Sequence, residues 1–127
     1  MEHLVQEAAR HGAQLIVPPE LCTSGYMFSS RQEAYDNAQV SDGDVFRRIH
    51  KIASQLRVYV TYGFPELGAG NALYNSAALI GPDGLLSVYR KTHLWGDEAL
   101  YFEPGDNDFP VINTEIGKIS MLVCYDG

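Results

Sequence analysis

Cysteine is scarce, basic residues are outnumbered, and no long apolar run occurs in this 127-residue sequence. Two cysteines, Cys22 and Cys124, are too few for a disulfide framework, so a reducing compartment, the cytoplasm, is expected. There is no CxxC or HxxxH pair, which removes the usual zinc signatures; neither a metal nor an organic cofactor is expected. Nine Lys and Arg against 16 Asp and Glu give a net charge of −7. That balance argues against a nucleic-acid partner, because binding a polyanion needs a basic patch that displaces counterions. No stretch approaches the roughly 18 consecutive apolar residues of a membrane span. The start, Met1-Glu-His-Leu-Val-Gln-Glu7, is acidic and amphipathic, unlike a secretory leader. Internal repeats and low-complexity tracts are absent too. What is present is an ordinary globular composition, 46% apolar and 20% charged, at a length that suits one domain over residues 1–127.

Hydrophobic periodicity organises the chain. Leu4, Val5, Ala8 and Ala9 recur at helical spacing before Gly12, which predicts a helix over 2–11. Gln14 to Val17 reads as a short buried strand stopped by Pro18-Pro19, with Glu20 standing just beyond it. Residues 21–40 read as a long loop with one helical turn, and a loop of that length usually carries function. Ser41-Asp42 offers an N-cap for an amphipathic helix whose buried stripe is Val45, Phe46, Ile49, Ile52, Ala53 and Leu56. Val58 to Phe64 is predicted as a strand that ends at a turn over Pro65 to Gly70. Ala72 to Ile80, the turn Gly81-Pro-Asp-Gly84 and Leu85 to Tyr89 form a hairpin, with Lys91 just past its second strand. A second long loop, 92–109, holds Trp95, Tyr101 and Phe102. Two further strands, Val111 to Thr114 and Lys118 to Cys124, close the chain. The pattern predicts an α/β fold with a mixed sheet.

Three reactive groups stand at or just past strand ends: Glu20, Lys91 and Cys124. Thiolate rather than thiol is the nucleophile, so an active cysteine needs a base or a cation beside it. A carboxylate can take the thiol proton, and an ammonium can stabilise the thiolate and a developing oxyanion. The alternative base is His93, since His3, His11 and His50 fall on predicted helices. On residue types alone, Glu20–Lys91–Cys124 and Cys124–His93 both remain open. A small α/β binding or redox module using Cys124 alone also remains; it predicts that Glu20→Gln and Lys91→Ala leave activity intact.

Three segments carry a resemblance that bears on the choice. Leu15-Ile-Val-Pro-Pro-Glu-Leu-Cys-Thr-Ser-Gly-Tyr26 resembles the first signature of the nitrilase, or carbon–nitrogen hydrolase, superfamily. Tyr89-Arg-Lys-Thr-His-Leu94 is similar to its second and Leu122-Val-Cys-Tyr-Asp126 to its third, in the family's order. The resemblance implies Glu20 as general base, Lys91 as oxyanion stabiliser, Cys124 as nucleophile and Glu98 as a second glutamate near the site. It also implies the backbone N–H of Tyr125 as an oxyanion donor, and it moves His93 to a packing role. Tyr26, His93 and Trp95 are the candidate pocket residues. The implied reaction hydrolyses a non-peptide C–N bond in an amide or N-carbamoyl compound, through a cysteine thioester, releasing ammonia. Nitrile-cleaving members commonly place Trp-Glu after the nucleophile; Tyr125-Asp126 here resembles the amidase and carbamoylase branch. A donor aimed at the oxyanion is worth roughly 3 kcal/mol or more, so Lys91→Ala is expected to abolish turnover without unfolding the chain.

The family's fold is a four-layer α-β-β-α sandwich in chains about twice this long, and the complete enzyme is implied to be a homo-oligomer. Against that frame the first strand and the C-terminal half are expected to be missing. A non-catalytic remnant of such an enzyme is therefore the competing expectation.

Overall fold

The computed structural model describes residues 1–127. The first helix, α1 (Glu2–Arg10), and the strand β1 (Leu15–Ile16) lie where periodicity puts them. The loop that follows contains α2 (Arg31–Asp36), capped by the Ser30 side chain, which accepts from Glu33 N–H. The amphipathic helix is α3 (Asp44–Leu56). Its cap is Gly43 rather than Ser41-Asp42, because Gly43 N–H closes a turn on Val40 O and the helix begins one residue later.

Strands β2 (Tyr59–Leu67), β3 (Leu73–Gly81) and β4 (Gly84–Arg90) form an antiparallel meander, and β1 adds to β2 in parallel. The order β1-β2-β3-β4 is the expected mixed sheet. Strand β2 runs three residues past Phe64, through the expected turn at Pro65. Its register explains this: Leu67 N–H donates to Gln39 O, away from β3. Pro65, of the same parity, therefore carries its missing donor on the side where β3 asks for none. The chain reverses later, through a 3₁₀ turn at Ala69–Asn71.

Each face of the sheet has its own cover. Val60, Tyr62 and Phe64 of β2 and Ala78 and Ile80 of β3 pack on Val5 of α1 and Ile49, Ile52 and Ala53 of α3. Each Val or Ile side chain buried there contributes roughly 1.5–3 kcal/mol, and each alanine methyl correspondingly less. The opposite face carries Leu79 and Tyr89, which pack against Met121 and Val123. Strands β5 (Ile112–Thr114) and β6 (Gly117–Ile119) pair only with each other. The expected strand over 118–124 thus ends at Ile119. Met121 and Val123 keep the two-residue alternation, but they are held by side-chain packing rather than by a ladder. No helix is long and apolar enough to cross a membrane.

Candidate active site

Four segments converge at one end of the meander. Glu20 opens a tight turn beyond β1, and the next residue, Leu21, is fully buried with a left-handed φ of 48°. That turn lies directly on Gly63 of β2, and Thr23 N–H bonds Gly63 O. A Cβ at position 63 would collide with Leu21 N and the Glu20 backbone. Gly63→Ala should therefore lower unfolding free energy by about 1–3 kcal/mol, the usual cost of overpacking. A urea midpoint that does not move would show that the turn adapts freely.

Lys91 follows β4 and is fixed through its backbone on two sides. Its N–H donates to Asn75 O at 2.8 Å, and its carbonyl accepts from Gly105 N–H at 2.8 Å. The side chain is 0% exposed, and Nζ lies 2.8 Å from Glu20 Oε1 and 2.9 Å from Glu98 Oε1. Glu98 is itself buried, in the 3₁₀ turn Gly96–Leu100, and its Oε2 accepts the Trp95 N–H at 2.7 Å. Burial alone would lower the lysine's proton affinity. The hydrogen bonds and charges of Glu20 and Glu98 outweigh it and hold Lys91 above its ordinary value. An ammonium has three N–H donors, so two carboxylates leave one for a further acceptor.

Cys124 is exposed and begins a 3₁₀ turn, Cys124–Asp126, with φ of 49°. It does not sit at the end of a buried strand, as the sequence suggests. A left-handed cysteine is strained, and its turn is held by Asp126. The Asp126 side chain is 0% exposed. It accepts from Thr92 N–H, His93 N–H and Tyr89 OH, and from Val123 N–H in its own segment. Burial would raise its proton affinity, but these donors win and hold the carboxyl below its ordinary range. Asp126 thereby ties the cysteine turn to the residues that follow Lys91. In this turn the first internal bond is Asp126 N–H to Val123 O, which leaves the Tyr125 N–H without an internal acceptor.

Two cavities flank the Glu20–Lys91–Glu98 cluster. One, of about 270 Å³, is lined by both Glu20 and Cys124, with Tyr62, Gly63 and Met121 among its walls. The other, of about 260 Å³, is aromatic and is lined by Tyr26, Trp95, Glu98 and Phe102. Burial, Glu98 and then Glu20 and Cys124 push the Tyr26 phenol well above its ordinary value. Trp95 packs on Tyr125, with ring centroids 4.7 Å apart. His93, a pocket candidate from the sequence, lines neither cavity. It is exposed and turns Nδ1 to Asp126 at 3.0 Å, so it fixes the loop instead.

Sequence reasoning missed Asn75 and Gly63, and it used Asp126 only to distinguish branches. Asn75 donates Nδ2–H to Glu20 Oε1 at 2.7 Å. Its signal was an amide on the inward parity of a strand, between Leu73 and Ala77, where asparagine is disfavoured. No group of three His, Cys, Asp or Glu side chains is arranged to hold a metal ion.

A family model described as carbon–nitrogen hydrolase matches residues 1–127. A protein named nitrilase from Pyrococcus abyssi is 40% identical over 126 residues, covering 98% of this chain and 48% of its own. N-carbamoylputrescine amidase from Arabidopsis thaliana is 37% identical over 133 residues, covering 98% and 44%. Among solved structures, a glutamate-to-glutamine mutant of the amidase from Nesterenkonia sp. AN1, showing Michael addition of acrylamide at its active-site cysteine, superposes with a TM-score of 0.81. It is 25% identical, over 98% of this chain and 49% of its own. The chain thus spans about half the length of these relatives.

Proposed function

Because the chain belongs to the carbon–nitrogen hydrolase family, we propose that it hydrolyses the C–N bond of a small amide or N-carbamoyl compound through a thioester on Cys124. The observation that carries this reading is the buried Glu20–Lys91–Glu98 cluster beside a cavity that Glu20 shares with Cys124. Glu20 takes the thiol proton as Cys124 Sγ bonds to the carbonyl carbon. The oxyanion receives the third Lys91 N–H and the Tyr125 N–H. Collapse breaks the C–N bond, the proton from Glu20 passes to the leaving nitrogen, and ammonia departs. Water, deprotonated by Glu20, then attacks the thioester; the S–C bond breaks, Glu20 returns that proton to the departing Cys124 sulfur, and the acid is released.

Glu98 differs from Glu20 in that both its oxygens are engaged, by Lys91 and by the Trp95 N–H. That suits holding the ammonium rather than shuttling protons. Tyr26 and Trp95 form the wall against which the substrate's remainder packs, in this reading. A cytoplasmic setting and assembly into a homo-oligomer belong to the same proposal.

Nitrile cleavage is the second reading, favoured by the relative named nitrilase. Tyr125-Asp126 after the nucleophile speaks for amides.

The test is ammonia release from amides, N-carbamoyl amines and nitriles by the chain and by Cys124→Ala. Removal of a nucleophile should cost roughly 10³-fold or more. The best substrate then distinguishes the two readings. Equal release by both proteins would refute Cys124 chemistry, and no release by either would favour a non-catalytic chain.

A further inference from the structure

We infer that Asn75 is a positioning residue that sets which oxygen of Glu20 acts as the base. This rests on the hydrolase reading above and deepens it. Glu20 Oε1 accepts twice, from Asn75 Nδ2 at 2.7 Å and from Lys91 Nζ at 2.8 Å. Oε2 has no partner within the chain. The last torsion of a glutamate is soft and roughly two-fold, so a single donor leaves the carboxylate free to rotate. Two donors converging on one oxygen fix it, and Oε2 is the oxygen left for the thiol proton.

The same residue also anchors the cation. Asn75 O accepts the Lys91 N–H at 2.8 Å, so one position on β3 holds Glu20 through its side chain and Lys91 through its backbone. Asn75 is 0% exposed, and its Oδ1 is buried without a hydrogen-bond partner. A leucine has the same branched outline and would leave no orphaned acceptor, so shape alone does not explain an amide here. The donated Nδ2–H does.

The experiment is steady-state ammonia release by the chain, Asn75→Leu and Asn75→Ser on the best substrate of the panel, with circular dichroism to verify folding. A carboxylate misplaced by a fraction of an ångström should lower kcat by about 10- to 100-fold. KM should stay within about twofold, since Asn75 lines neither cavity. The serine variant keeps a donor at shorter reach and should fall between the other two; it also serves if the leucine variant does not fold. A folded variant of either kind with wild-type kcat overturns the inference and leaves the hydrolase reading standing. So does a change confined to KM. Absence of Cys124-dependent release from the unmodified chain overturns both.

Discussion

Lys91→Ala is expected to destabilise the chain by about 3–5 kcal/mol as well as abolish turnover, the cost of breaking a buried ion pair by removing one partner. The ammonium is fully buried between Glu20 and Glu98. Removing it leaves two carboxylates at close range, one of them 5% exposed. This revises the expectation that the variant loses activity alone. Stability and catalysis can be separated by a second step. Adding Glu20→Gln and Glu98→Gln to Lys91→Met removes the uncompensated charge and should recover most of the lost urea resistance, with no return of turnover. If Lys91→Ala alone unfolds at the wild-type urea midpoint, the cluster is far better solvated than its burial indicates. The alkaline behaviour follows from the same contacts. Folding raises the lysine's proton affinity, so its contribution is fully present below the ordinary lysine value near pH 10.4 and is lost as pH climbs through the higher folded value.

Asp126→Ala is the other large effect, and it acts through the residues that follow Lys91 rather than through the ion cluster. Its carboxylate accepts from three backbone N–H groups and from the Tyr89 hydroxyl. Each buried donor left unpaired costs about 1–3 kcal/mol, although Thr92 and His93 are open enough to recruit water. A net loss of roughly 3 kcal/mol is expected, or about 10 °C in Tm for a domain of this size. Turnover should fall too, because the cysteine turn loses its tether to the segment after Lys91. Acid sensitivity provides an independent check. Folding depresses the Asp126 proton affinity, so its stabilisation is present above the ordinary carboxylate value near pH 4 and is lost as pH falls through the lower folded value. In Asp126→Asn the fall in Tm below pH 4 should be shallower than in the wild type. Identical acid profiles would assign the acid lability to other carboxylates.

The helices, the meander and the mixed sheet were legible in the sequence because they rest on local periodicity. Ile49, Ile52 and Ala53 recur on one helical face, and Val60, Tyr62 and Phe64 alternate along one strand face. The elements misplaced were those whose limits depend on a distant partner. Strand β2 passes Pro65 because Gln39, 26 positions earlier, takes the outward-facing bonds. The segment before Cys124 lacks a ladder because the β5–β6 pair ends at Ile119 and joins no strand of the larger sheet. His93 reads as a pocket residue until Asp126, from the end of the chain, is seen to hold it.

The sequence by itself determined the residue types, their order and the motifs that assign the family: a carboxylate after Pro18-Pro19, a lysine after the hairpin, a cysteine before Tyr125-Asp126. These are properties of short segments, each spelled out within a few neighbours. Only the tertiary structure decided how those groups meet. It buries Lys91 completely, engages both oxygens of Glu98 and one of Glu20, and brings Asn75 and Gly63 beneath the Glu20 turn. Apart from the two Glu98 contacts, to Lys91 seven positions away and Trp95 three away, those facts depend on contacts between residues 42 to 71 positions apart, and hydrogen-bond direction and burial at such separations are written in no local pattern.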